Sequence, residues 1–203
     1  MVALAVAALA GGVSASESRV ADAAMAGDAA AVRALVAGGA DVNQPQGDGM
    51  TALHWAAERG DAELADVLLA AGARVDAGTR IGAYRPLHLA AKSGSAAVAR
   101  RLLAAGGDAN APTSTGAAPL HFAAASGDVD TIAALVDAGA ALDAREPQWE
   151  QTPLMFAAAA GRTAAVTALA ARGATLDATA RVVDVSARNR QDAAESRERN
   201  ARM

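Results

Sequence analysis

The chain has 203 residues, a net charge of -4, no cysteine, and 53% hydrophobic residues. Of these, 62 are alanine, whereas Leu, Ile, Val and Phe together number 37, which excludes a thick core or a wide β-sandwich and suits a stack of close-packed, alanine-lined helices. A pI near 5.3 and a single lysine, Lys92, exclude a general polyanion binder, so nucleic acid is not an expected partner.

The amino terminus opens with the apolar run Val2 to Leu9, followed by Gly11, Gly12 and the small-residue pattern Val13-Ser14-Ala15. This reads as a secretory signal peptide over 1–15, cleaved after Ala15. The alternative is an alanine-rich leader on a cytoplasmic protein, because the first positive side chain, Arg19, follows the apolar run instead of preceding it. The run is shorter than the roughly 20 residues that cross a bilayer core of about 30 Å, so the mature chain is expected to make no stable membrane insertion. The expected location is periplasmic or secreted, the alternative cytoplasmic. An exported fold without disulfides has to be held by packing alone.

From residue 16 to 180 the text repeats. Gly27, Gly60, Gly94, Gly127 and Gly161 are spaced 33, 34, 33 and 34, and Gly39, Gly72, Gly106, Gly139 and Gly173 have the same spacings in the same order. Five units follow, at about 17–48, 49–81, 82–115, 116–149 and 150–180. Units two to five carry Thr51-Ala52-Leu53-His54, Arg85-Pro86-Leu87-His88, Ala118-Pro119-Leu120-His121 and Thr152-Pro153-Leu154-Met155. The pattern is similar to the Thr-Pro-Leu-His signature of ankyrin repeats at a period of 33.

Each motif has a physical reading as a helix start. The Thr hydroxyl caps, Pro supplies a fixed φ and lacks an N–H that would be orphaned anyway, and Leu enters the core. The first glycine ends that helix, a second helix such as Asp61 to Ala71 follows with Leu64, Val67, Leu68 and Leu69 at helical spacing, and the second glycine stops it. The resemblance implies that stretches such as Ala40-Asp41-Val42-Asn43 lead into β-hairpin fingers. Arg85 and Ala118 replace the capping Thr, so units three and four are expected to fray more readily, by about 1 kcal/mol each. Unit one lacks the motif, as suits an amino-terminal cap whose outer face meets water. After unit five, 181–203 is expected to form a cap helix around Val182, Val183 and Val185, then a polar tail pairing Glu195 with Arg199 and Glu198 with Arg202.

Catalytic and metal signatures are missing from the text. His54, His88 and His121 share one repeat position, where in the family the imidazole bonds backbone in and beside the turn, and the next unit has Met155 there. No His-Glu-x-x-His, Gly-x-Ser-x-Gly or phosphate-loop segment occurs, so no cofactor, no metal and no enzymatic activity are expected. Acid pairs such as Asp61 with Glu63 and Asp128 with Asp130 begin second helices, where they favour the dipole.

What remains is a surface. The resemblance puts the contact positions at Gln46, Asp48, Met50, Glu58 and Arg59 in unit two and at Arg80, Ile81, Tyr84, Arg85, Lys92 and Ser93 in unit three. Unit four offers Thr113, Thr115 and Ser126, and unit five Arg145, Gln148, Trp149 and Gln151. The intervals Asp76 to Arg85 and Asp143 to Thr152 are nine residues, against eight for Asn43 to Thr51 and Asn110 to Ala118. Both longer fingers carry an aromatic residue, Tyr84 or Trp149, whereas Trp55, Phe122 and Phe156 read as core. Tyr84, Arg85, Arg80 and Trp149 are the expected hot spots, unless each ring folds over its own finger. The chain therefore reads as an all-α repeat solenoid with β-hairpin fingers. Its expected role is a monomeric, non-catalytic scaffold for an unidentified protein partner, contacted through Met50, Arg59, Arg80, Tyr84, Arg85, Lys92 and Trp149. The alternative is a regulatory or targeting segment of a larger enzyme. Abundant Ala, Gly and Arg with one Lys suggest a GC-rich genome and, with the leader, a bacterial exported protein.

Overall fold

The computed structural model of the protein describes residues 18–181. The signal peptide expected at 1–15, the cap helix expected around Val182 to Val185, and the tail from Ala187 to Met203 lie outside the described residues.

Among the described residues are ten α-helices and no strand. They come in pairs: α1 (Arg19–Ala26) with α2 (Ala29–Ala37), α3 (Ala52–Arg59) with α4 (Ala62–Ala70), α5 (Pro86–Lys92) with α6 (Ala96–Ala104), α7 (Pro119–Ser126) with α8 (Val129–Asp137), and α9 (Pro153–Ala159) with α10 (Thr163–Ala171). The odd-numbered helices stack in one layer and the even-numbered helices in a second, each touching its sequence neighbour and its equivalents in adjacent units. Helices of seven to nine residues are too short to persist alone in water, so their stability comes from the stack.

Alanine makes that stack close. Ala56, Ala57, Ala90, Ala91, Ala123 and Ala124 are fully buried, and a methyl side chain lets neighbouring backbones approach without leaving a void. The bulky contribution is a periodic leucine fill: Leu53, Leu87 and Leu120 on inner helices, and Leu68, Leu102, Leu135 and Leu169 on outer ones. These belong to one continuous core cluster running from Val20 to Ala174. At the far end Leu176 is exposed.

Both glycine ladders sit at positive φ, from 66° at Gly161 to 95° at Gly173, a region open to glycine at little cost. Three of the five second helices begin at carboxylates: Asp28, Asp61 and Asp128 accept from the amides of Ala31, Leu64 and Thr131 at 2.9, 2.9 and 2.7 Å, whereas α6 and α10 begin at Ser95 and Arg162. Pro86, Pro119 and Pro153 occupy the first turns of α5, α7 and α9.

Two expectations need correction. The first concerns the capping hydroxyl. In α3, α5 and α7 the backbone N–H of Thr51, Arg85 and Ala118 is accepted by Nδ1 of His54, His88 and His121, at 3.0–3.1 Å. The histidine amides in turn donate to the carbonyls of the same three residues. Imidazole accepts the first-position amide whichever residue stands there, and Thr51 Oγ1 adds a bond to His54 Nδ1 at 2.8 Å that Arg85 and Ala118 do not make. Thr152 uses its hydroxyl, accepting from the Met155 amide at 3.4 Å, in the unit that lacks the histidine. The second correction concerns the fingers, which are tight turns and not strand ladders. Each closes on a backbone bond, Gln46 to Met50, Thr79 to Tyr84, Thr113 to Ala117 and Glu146 to Gln151, at 2.8–3.1 Å.

Candidate binding face

Four fingers, numbered two to five after the unit whose first helix (α3, α5, α7 or α9) each precedes, project along one edge of the stack beside these inner, odd-numbered helices, and one residue position organises all of them. Gln46, Thr79, Thr113 and Glu146 follow each other at 33, 34 and 33 residues, and each donates the amide that closes its finger. Three of their side chains also accept across the turn. Thr79 Oγ1 takes the Tyr84 amide at 3.0 Å and Thr113 Oγ1 the Ala117 amide at 3.1 Å. Glu146 is buried and its carboxylate takes three amides: Gln148 and Trp149 at 2.7 Å and Gln151 at 3.2 Å. Such charge-assisted bonds are the strong ones, and three together fix a fingertip. Gln46 turns inward instead, accepting from Trp55 Nε1 and donating to Asp22, both at 2.7 Å.

Neighbouring units are stitched at three levels. The Nε2–H of His54 and His121 donates to the carbonyls of Tyr84 and Gln151 in the following finger, at 3.0 and 3.2 Å, and that of His88 to the carbonyl of Ala111, two residues before the next finger, at 2.9 Å. With Nδ1 held as acceptor, both ring nitrogens are occupied in the neutral tautomer, and burial lowers all three pKa values, His88 to about 4. Below the fingers, Asn43 donates to Gly72 O and accepts from the Arg74 amide, and Asn110 does the same with Gly139 and Ala141. Asp143 accepts from the Thr175 amide and hydroxyl. At the tips, the Arg80 amide donates to Asp48 O and the Ser114 amide to Gly82 O.

The expected contact residues separate once placed in this frame. Trp149 is 43% exposed at the tip of its finger. Arg80 is exposed on the tip of finger three, Lys92 is exposed at the end of α5, and Arg85 is half-buried at the start of that helix. Tyr84 folds inward, edge-on to the rings of His88 and Phe122 at 6.1 and 5.7 Å, so for this ring the packing alternative describes the geometry. Met50 is only 9% exposed and forms a wall of a groove instead of projecting. Arg59 is committed to a bracket between units, donating to Met25 O at 3.1 Å. Ser93 and Arg145 are likewise engaged, with Ala57 O and with the carbonyls of Glu150 and Thr179.

Two residues carry more of the face than their sequence context suggests. Ile81, one of the expected contact positions but not an expected hot spot, is 82% exposed at the tip of finger three. The signal was present: an Ile in a turn between Arg80 and Gly82 serves no helical periodicity. Glu146 gave no such signal except its register with Thr79 and Thr113.

Between fingers two and three lies a groove of about 260 Å³ lined by Asp48, Met50, Thr79, Ile81, Tyr84 and Leu89. A larger groove of about 620 Å³ on unit one is walled mainly by alanine and glycine, with Arg19 as its charged group, and has little with which to orient a ligand. Among the described residues no cluster of three or more His, Cys, Asp or Glu is arranged to hold a metal ion, and no helix is long and apolar enough to cross a membrane.

No curated protein gives a significant match to the chain. The sequence profile described as ankyrin repeats (3 copies) matches it twice, over residues 20–113 and 87–180, which takes in all ten helices but for Arg19 at the start of α1, and all four fingers. The chain belongs to the ankyrin repeat family.

Proposed function

We propose that this protein is a monomeric, non-catalytic scaffold that binds a partner protein through its fingertips and the adjoining inner helices, with Ile81 and Trp149 as apolar anchors. Ankyrin repeats are in general protein–protein interaction modules, and the specific assignment rests on a feature shared by the two longer fingers. Each holds a non-glycine residue at positive φ, Ala83 at 51° and Glu150 at 56°, and each turns a large apolar side chain to solvent. A left-handed conformation costs such a residue about 1–2 kcal/mol, a strain retained where the surroundings enforce it and commonly found at functional sites.

The surroundings here are the Glu146 carboxylate in finger five and the Thr79 hydroxyl in finger three, which also donates to Ile81 O at 2.7 Å. The anchors are therefore ordered before a partner arrives, and little conformational entropy remains to be lost on docking. The histidines are spent on backbone bonds, which favours a binding role over acid–base chemistry.

The test uses the full chain as immobilised bait in an extract of its source organism, beside an Ile81→Ser/Trp149→Ala variant. The expected result is one or more proteins retained by the first and lost by the second. Equal retention by both overturns the assignment to the fingers.

A further inference from the structure

Resting on the protein-binding reading above, the charge around finger three identifies the kind of segment that the partner presents. Arg85, Leu89 and Lys92 stand at i, i+4 and i+7 of one helix face, with Arg85 at the start of α5 and Lys92 at its last residue. The equivalent triplets on the neighbouring inner helices are Thr51-Trp55-Glu58, Ala118-Phe122-Ala125 and Thr152-Phe156-Ala159, so among these faces only that of α5 carries two positive charges. Leu89, between them, lines the groove that Ile81 overhangs. Arg80 stands beside Ile81 on the same tip.

These three cations differ from most others in the protein. Arg33, Arg101, Arg145, Arg172 and Arg181 are in ion pairs, and Arg59 and Arg162 donate to helix-end carbonyls. The side chains of Arg80, Arg85 and Lys92 have no hydrogen-bonded or ionic partner among the described residues. Two carboxylates are close by in the fold. Asp48 accepts from the Met50 amide at 2.9 Å within its own turn, and Glu58 holds the position on α3 equivalent to Lys92. In a chain of net charge -4, Arg80, Arg85 and Lys92 around this groove outnumber the two carboxylates, Asp48 on its lining and Glu58 beside it.

We infer that the groove between fingers two and three takes an apolar side chain of an extended acidic segment in the partner, with its carboxylates reaching Arg80 on one side and Arg85 and Lys92 on the other. The apolar contact supplies the anchor, and the charge pairs set register and speed association. Finger three is held on both sides for this purpose, through Arg80 N to Asp48 O and Gly82 O to Ser114 N, at 2.8 and 2.9 Å.

The test selects binders for the full chain from a displayed library of random twelve-residue peptides. The enriched sequences are expected to combine Leu, Ile or Phe with Asp or Glu within a few residues. A synthetic peptide from the set should bind the Arg80→Glu/Arg85→Glu/Lys92→Glu variant at least about tenfold more weakly, and Ile81→Ser should weaken it similarly. Raising NaCl from 50 to 500 mM should weaken its binding to the unaltered chain, a readout that does not depend on any variant folding. Peptides without acidic enrichment, insensitive to salt and to the triple variant but lost with Trp149→Ala, overturn this inference and leave the protein-binding reading standing. Peptides lost only with Arg100→Glu, on an outer helix, overturn both, and failure to select any peptide overturns the inference.

Discussion

The amide of Arg80 donates across the gap between two fingers to the carbonyl of Asp48, at 2.8 Å. The same bond recurs as Ser114 to Gly82 and as Arg181 to Trp149, spaced 34 residues in the first step and 67 in the second. The missing member of the series is position 147, and it is proline, which has no N–H to give. The row of fingertips is thus pinned everywhere in the described residues except between fingers four and five. There the Pro147 ring lies against Gly116 where a Cβ would otherwise be. Replacing Pro147→Ala restores a donor opposite Thr115 O, and hydrogen exchange should find the new amide at 147 as protected as that of Ser114. Exchange at the rate of an exposed loop amide would show that the two tips do not approach.

Asp76 occupies the register of Asn43 and Asn110 but has no amide group with which to donate to a neighbouring carbonyl. The junction between units two and three therefore lacks the clamp that Asn43 and Asn110 make at the junctions on either side. Asp76→Asn is expected to raise the unfolding free energy by about 1 kcal/mol, seen as a higher urea midpoint at unchanged slope. An unchanged or lower midpoint would mean that this clamp contributes nothing.

Thr131 is fully buried where the equivalent outer-helix positions hold Leu64 and Val98, and its hydroxyl has no hydrogen-bond partner. Thr131→Val keeps the shape and removes the unsatisfied group. The expected gain is about 1 kcal/mol, and a thermal melt lowered by this substitution would refute it.

The buried histidines make stability depend on pH. Burial, the largest cause, holds the His88 pKa at about 4, below its ordinary 6.5, and lowers His54 and His121 in the same direction. The unfolded chain takes up these protons first, so the contribution is complete above pH 6.5 and declines as the pH falls toward 4. His88 alone accounts for a loss on the order of 3 kcal/mol across that window. Urea midpoints at pH 7.5 and 4.5 measure it, and equal midpoints would contradict the placement of the three rings.

Glu146 orders finger five through three amides. Glu146→Gln keeps one oxygen acceptor and loses the charge. Hydrogen exchange at Gln148, Trp149 and Gln151 should quicken by roughly tenfold, the equivalent of about 1.4 kcal/mol, while the helices hold their protection. Unchanged exchange at those amides would remove the carboxylate from the account.

The helices, their ends and the stacking were legible because the ladders of Gly27 and Gly39, the Pro at 86, 119 and 153, and the leucines each act through local backbone physics repeated in every unit. The face was legible only in part. The nine-residue spacing marked the two fingers that hold a non-glycine residue at positive φ and expose Ile81 and Trp149, but Tyr84 turned inward because the rings of His88 and Phe122 offer it an edge-on site, a contact across units that one unit's text does not contain. Met50, a contact position by the family resemblance, is drawn in by the groove it lines. Glu146 escaped because a glutamate in a loop is ordinarily solvated, and only the convergence of three amides makes its burial favourable.

In the proposed function a partner protein docks on the fingertips. A photocrosslinking amino acid placed in separate preparations at positions 81, 149 and 100, followed by irradiation in an extract of the source organism, tests it most directly. Adducts of one common protein from 81 and 149, with none from 100 on outer helix α6, are the predicted result. An adduct from 100 without any from 81 or 149 would contradict it.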